Sequence, residues 1–411
     1  MRVAYVMTHH PKQSTSFITD EIVALKARGC EVVPFAMNPP DAVDLEDPDA
    51  RSHIDATEYL KSAGLRELTR SVAVVGLRRP IGLLRAARRA VGSAGTDPIR
   101  LARRVYHLVL AAHLARHCLE RGVAHVHAQF GLAPATIAWL AATIVRTGDA
   151  DRLTWSFTIH GFHDFVDEAE ARLDRKGAEA DAVVCVSDHT RAQLCRVTDP
   201  QHWHRFHVIR CGIDLDHFAR RAPRSPGGIP VITVVARLSP EKGHLVLLDA
   251  LDRMRRSEVA ARLQIIGSGP AADLISAEAV RLGLESHVEI VGALPHREVA
   301  ERLAESDVFC LPSFAEGLPV SIMEAMAIGV PVVCTAINGV PELAVDEVTA
   351  LTVPPGNAGE LASALIRVLT ESGLGHRLGR NAELVVKERH DLHANAADLH
   401  ELFRTVGSGG G

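Results

Sequence analysis

A chain of 411 residues, 47% hydrophobic and 23% charged, is too long for one comfortable core and suits two domains of roughly 200 residues each, which excludes the disordered and fibrous classes. Its formal net charge of −5 offers no overall attraction to nucleic acid, and no apolar run is long enough to predict a membrane span. Seven cysteines, an odd number without a C-x-x-C pair, read as buried apolar residues in a reducing compartment; with no signal-like N-terminal stretch, a cytoplasmic protein is expected.

Short β-branched runs alternate with longer helical patterns, which predicts parallel strands joined by crossover helices. The predicted strands of the first half are 3–7, 31–36, 124–128, 154–159, 182–187 and 207–211. Those of the second half are 231–236, 262–266, 287–291, 307–311 and 330–335. The expected fold is α/β, with two Rossmann-like, doubly wound parallel sheets. Turn residues concentrate at 222–230 (Ala-Pro-Arg-Ser-Pro-Gly-Gly-Ile-Pro) and predict a linker between a first domain at 1–221 and a second at 231–382. An amphipathic helix over 383–405 is expected to return to the first domain. Polar and glycine residues gather at the carboxyl ends of the predicted strands, where open parallel sheets bind ligands. Two such rims facing one another would form one cleft.

In the first half, Ser14, Thr15 and Ser16 follow the first strand and can cap the next helix, with one of them facing an acceptor. Residues 78–104 carry Arg78, Arg79, Arg85, Arg88, Arg89, Arg100, Arg103 and Arg104 among Ile81, Leu83, Leu84 and Val91. That segment reads either as a basic amphipathic surface for anionic lipid, at the inner membrane face, or as a solvated helix face. His127 and His160 each sit at the carboxyl end of a predicted strand; among 22 histidines, such a residue is either a site residue or a structural one. Asp214-Leu215-Asp216 mimics a metal-binding D-x-D, but no histidine or carboxylate cluster has catalytic metal spacing, and neither a metal nor another cofactor is expected.

In the second half, Arg237 follows a strand and Lys242 follows on a short loop closed by Gly243, so two fixed cations can neutralise a diphosphate. Gly267-Ser268-Gly269-Pro270-Ala271-Ala272 fits the G-x-G-x-x-A pattern of a dinucleotide site. Against that reading, it follows the second strand of its half, and Glu289 falls inside a strand. Next comes Ser313-Phe314-Ala315-Glu316-Gly317-Leu318-Pro319-Val320, where a loop glutamate precedes a helix start whose unpaired N–H groups suit phosphate. Glu316 can accept hydrogen bonds from vicinal sugar hydroxyls, and Glu324, further along the helix, from a ribose.

Glu316 and Glu324 with their flanking residues, together with Arg237-Leu238-Ser239-Pro240-Glu241-Lys242-Gly243, resemble the signature of glycosyltransferase family 4 over most of residues 230 to 345. The serine-rich first loop resembles the branch of exopolysaccharide and colanic acid transferases, and departs from the Gly-Gly turn of many members. The resemblance implies a two-domain GT-B fold and a retaining, metal-independent transfer of a hexosyl unit from a nucleotide diphosphate sugar. The acceptor would be a saccharide, a lipid-linked saccharide or a small hydroxyl compound, in polysaccharide or glycoconjugate biosynthesis. It further implies donor contacts at Gly267, Gly269, Gly292, Gly317, Leu318, Pro319 and Val320, with Arg237 and Lys242 on the phosphates. Glu316 would hold the hexose, Glu324 the ribose, and His127 and His160 the acceptor or donor sugar. A nucleotide-sugar epimerase or hydrolase on the same scaffold, and a nicotinamide dehydrogenase resting on Gly267 and Gly269, are the rival readings.

Overall fold

The computed structural model describes residues 1–41, 50–146, 153–218 and 228–407. The chain divides into two compact units, one of residues 1–210 with 396–411 and the other of residues 211–395. Most of the predicted linker, 222–227, lies outside the described residues.

The first unit is built on a seven-stranded parallel sheet. Its strands are β1 (Arg2–His9), β2 (Glu31–Asn38), β3 (Glu58–Tyr59), β4 (His125–Gln129), β5 (Thr154–Ile159), β6 (Ala182–Cys185) and β7 (Phe206–Val208), ordered β3-β2-β1-β4-β5-β6-β7. Strands β4 and β5 are buried throughout, as expected of parallel strands covered by helices on both faces. The helix Pro98–Arg121 begins where Asp97 accepts from the amides of Ile99 and Arg100, at 2.8 and 3.2 Å, and ends at Gly122 in the left-handed conformation. Its buried face meets the helix Ala133–Val145, buried from Pro134 onward, in a core that includes Leu110, Leu114, Trp139 and Phe157.

The second unit holds a six-stranded parallel sheet of β8 (Val231–Val235), β9 (Arg262–Ile266), β10 (Val288–Gly292), β11 (Val308–Leu311), β12 (Val332–Thr335) and β13 (Leu351–Val353), ordered β10-β9-β8-β11-β12-β13. In each sheet the winding direction reverses once, between β1 and β4 in the first and between β8 and β11 in the second. The carboxyl ends of those strand pairs are the places where an open sheet leaves a crevice for a ligand.

Three expectations need correction. Sequence reading omits β3 and β13, which have two and three residues and lack a long β-branched run. The helix expected over 383–405 is two helices, Leu374–Arg389 and Leu392–Gly407. The break is imposed from outside: the Ile213 amide donates to His390 O and the Leu392 amide to Ile213 O, at 2.9 and 3.1 Å, and His390 Nδ1 lies 3.0 Å from Cys211 O. From Ala396 onward the last helix belongs to the first unit, where the Phe403 ring packs on Tyr5, His125 and His127. The Ser14–Ser16 segment does not cap its helix with side chains. Residues 13–15 form a 3-10 turn, and the Thr15 hydroxyl turns back to Lys12 O at 3.4 Å.

All seven cysteines are free; six are buried and Cys195 is half-buried. No described helix is long and apolar enough to cross a membrane.

Candidate active site

In the second unit the loops that follow β8 and β11 meet at the reversal point. Lys242 Nζ donates to Glu316 Oε1 at 2.7 Å, and the Ser313 hydroxyl donates to the same oxygen at 2.6 Å. Asn338, beyond β12, donates to the Glu316 carbonyl at 3.0 Å. The carboxylate side chain is only 8% exposed and the lysine 21%, so this is a half-sheltered ion pair. Residues 74 apart in sequence are thus neighbours. The two loops are also sewn by main chain, since the Phe314 amide donates to Glu241 O at 2.7 Å.

Gly243 makes this approach possible. Its φ is +71°, and a Cβ there would overlap the Pro312 carbonyl oxygen. Gly243→Ala is therefore expected to destabilise the second unit by about 2–4 kcal/mol through left-handed strain and a backbone clash. Calorimetric melting checks this, and an unchanged transition would refute the close approach.

The glycine pair 267/269 has the same kind of role. A Cβ at Gly267 would overlap Ala236 O, and one at Gly269 would overlap Leu238 O. Around them the Leu238 amide donates to Ser268 O, the Ala271 amide to Leu238 O and the Gly267 amide to Gly292 O, at 2.8–2.9 Å. The pattern that resembles a dinucleotide fingerprint thus fixes the loop bearing Arg237, which is exposed, and lies after β9 rather than at the reversal point.

The helix Val320–Ile328 begins at Pro319, which caps it instead of occupying its first turn. The first intrahelical bonds run from Ile322 and Met323 to Pro319 O, leaving the Val320 and Ser321 amides ahead of the ladder, one residue beyond Gly317 and Leu318. Glu324, in the second turn, is buried and its Oε1 lies 2.6 Å from His296 Nε2. The His296 ring in turn stacks on His217 with centroids 5.3 Å apart and meets Phe218 edge-on at 5.0 Å. Asp214 of the D-x-D look-alike accepts from the amides of Asp216 and His217, a local turn.

In the first unit, His160 follows β5 and is half-buried, its ring 4.5 Å from Phe130 and 5.2 Å from Phe17. Phe130, after β4, holds φ at +72°, a costly conformation for an aromatic residue and one that clusters at functional sites. His160 Nε2 lies 2.5 Å from Gln129 Oε1, Gln129 donates to Glu21 Oε1 at 2.8 Å, and Tyr5 donates to that same oxygen at 2.8 Å. Burial pushes Glu21 up to about 7 although both donors oppose the shift, and burial pushes His160 down to about 3. Asp164 clamps the two loops by accepting from the amides of Gly131 and His160, at 2.7 and 2.9 Å.

His127 is corrected here. It is fully buried, Nδ1 lies 2.7 Å from the Ser156 hydroxyl and Nε2 3.0 Å from that of Thr158, so it has no surface to offer a sugar. Ser14 is exposed, and Thr15 and Ser16 are half-buried, in the loop after β1. Sequence reading passed over Glu21, Asp164, Ser313 and His296, because their partners come from distant segments. Among the described residues no group of three or more histidines, cysteines or acids could hold a metal ion.

Residues 216–385 match the family described as Glycosyl transferases group 1. The protein WcaL of Escherichia coli K12, named for glycosyl transfer in colanic acid biosynthesis, is 29% identical over 89% of this chain and 90% of its own. The amylovoran biosynthesis glycosyltransferase AmsK of Erwinia amylovora is 26% identical over 90% of each. The crystal structure of Anabaena HepE in complex with UDP and glucose superposes with a TM-score of 0.74 at 18% identity, covering 98% of this chain and all of that one. Sucrose-phosphate synthase from Thermosynechococcus elongatus gives 0.73 at 21% identity over 99% of each. Two Rossmann-like sheets accord with these likenesses: residues 216–385 are a glycosyl transferases group 1 domain, and the protein is a glycosyltransferase of the GT-B fold.

Proposed function

We propose that the protein transfers a hexosyl unit from a nucleotide diphosphate sugar to a hydroxyl acceptor, with retention and without a metal ion, in polysaccharide biosynthesis. The observation that carries this reading is the Lys242–Glu316 pair beside a helix start with amides to spare. As the bond from the anomeric carbon to the diphosphate breaks, Lys242, Arg237 and the amides of Val320 and Ser321 receive the charge that accumulates on the leaving oxygen. Glu316, held by Lys242 and Ser313, accepts from sugar hydroxyls; those same donors keep it from serving as a nucleophile. The acceptor oxygen then bonds to the anomeric carbon on the face the phosphate leaves, and its proton passes to the departing phosphate. Glu324, oriented by His296, is the ribose acceptor, and Gly292 borders the base.

The first unit carries the acceptor side through His160 and the 14–16 loop. Because Gln129 Oε1 can only accept, His160 bears its proton on Nε2 and Nδ1 is its acceptor nitrogen. The names of the relatives support a saccharide acceptor, and the UDP and glucose in HepE support a nucleotide-sugar donor. Seven free thiols and a nucleotide-sugar donor accord with a cytoplasmic location.

A thermal-shift panel of UDP-, GDP-, ADP- and dTDP-sugars with chelator present tests the reading. One donor at about 100-fold its Kd should add ~2.7 kcal/mol to the unit that binds it. A shift that appears only with a divalent cation, or with none of the donors, would overturn it.

A further inference from the structure

Of the arginines in 78–104, Arg104 is buried with its guanidinium 3.3 Å from Glu170, and Arg100 and Arg103 lie 3.7 and 3.3 Å from the same carboxylate. Those three are accounted for inside the first unit. The remainder sit differently. The helix Pro80–Ala94 buries Gly82, Ala86, Ala90, Ser93 and Ala94. Its other face presents Ile81, Leu84, Arg85, Arg88 and Val91, all exposed, at the spacing of one helical stripe. The three apolar side chains are 53–59% exposed, and Leu77, just before the helix, is 85% exposed. From Leu68 to Thr96 the sequence has six arginines and no acid or lysine.

Beside this stripe is a pocket of about 560 Å³ lined by Arg85, Arg88, Arg89, Arg146, Trp139 and Trp155. Its one acid, Glu179, is taken: it pairs with Arg89 at 2.6 Å and accepts from Trp139 Nε1 at 3.0 Å. Arg89 also donates to Thr143 at 2.8 Å, and Arg146 pairs with Asp181. Arg85 and Arg88, exposed at the mouth, are the two guanidinium groups placed to take an incoming anion. Trp155 is the second residue of β5 and His160 follows its other end, so the pocket lies about 16 Å of strand away from the candidate site, at 3.3 Å per residue.

We propose that the exposed face of helix Pro80–Ala94 docks on an anionic phospholipid surface, with Arg85 and Arg88 taking headgroup phosphate at the pocket mouth. Ile81, Leu84 and Val91 enter the boundary between headgroups and acyl chains. A solvated helix face has no use for three half-exposed branched residues between arginines with no acid among them, whereas an interfacial helix needs that composition. The lipid commits the site because free phosphate would gain nothing from the apolar stripe. None of this depends on the donor reading.

The test is flotation of the full chain with phosphatidylglycerol-containing vesicles and with vesicles of phosphatidylcholine alone. The chain should partition to the first, less so as salt rises, and not to the second. Each arginine removed should cost about fivefold, so R85Q/R88Q should bind ~30-fold more weakly. Ile81→Ser with Leu84→Ser should also weaken binding, with unchanged circular dichroism in both double variants. Partition that is absent, equal on both vesicles, or unaltered in R85Q/R88Q overturns the proposal. So does a melting shift with inorganic phosphate in the absence of any vesicle binding.

Discussion

Lys242→Ala and Glu316→Ala will each lower turnover by at least ~10³-fold while the protein remains folded. The expectation rests on where charge goes: a leaving diphosphate needs fixed positive charge, and losing one preorganised group of this kind costs about 10²–10³-fold. Here each loss also disables the partner. Without Lys242, the sheltered Glu316 carboxylate keeps, among the described residues, only Ser313 as a side-chain donor, at 2.6 Å. Without Glu316, the ammonium loses the acceptor that aims it. Because Lys242 is 21% exposed, breaking the pair should cost well under the ~3–5 kcal/mol of a fully buried one, so melting separates a chemical defect from a folding defect. Initial rates of sugar transfer are the measurement. If either variant retains more than about a tenth of wild-type rate, the assignment fails.

The second large effect is acid lability of the first unit. Burial drives His107, His125 and His160 down to about 3, and His10 and His113 to about 4, with His127 also well below the usual range. The unfolded chain binds protons on these residues near pH 6.5 and the folded one does not. Stability is therefore present above about 6.5 and is lost as pH falls through the window between 6.5 and the folded values, at ~1.4 kcal/mol per pH unit for each group. Glu21 and Asp164 act oppositely, because burial raises them to about 7 and about 6 and the folded state holds their protons longer. The histidines outnumber them. Between about pH 6 and 5 the net loss should be roughly 5 kcal/mol, a fall in Tm of ~10–20 °C for a unit of this size. Melting curves across that range check it; a transition that is flat or rises toward acid would refute it.

The sequence made the two sheets legible because long parallel strands carry β-branched runs that differ sharply from the helices between them. Arg262–Ile266 and Thr154–Ile159 were readable to the residue for that reason. β13 was not, since its three residues stand just before Pro354 and Gly356 and register only by pairing with β12. The glutamate loop was legible because its motif is local. Its pairing with Lys242 was not, because only the order of β8 beside β11 brings the two loops together. Histidine depth was equally hidden: His127 and His160 are both expected at strand ends, yet His127 lies inside β4, buried in the sheet packing, and His160 follows β5 in a loop. The interruption at His390 has no local cause, as the competing partners Cys211 and Ile213 come from the far side of the sequence.

The seam that joins Leu238 to Ser268, Gly267 to Gly292 and Phe314 to Glu241 is made of amides and carbonyls. Away from Gly267 and Gly269, where a side chain would strike a carbonyl, such bonds are blind to side-chain identity but depend on residue count. Along this rim, variation among descendants can therefore accumulate by replacement and not by insertion or deletion. What the rim presents would change by exchanging the side chains that point off a frame of constant length.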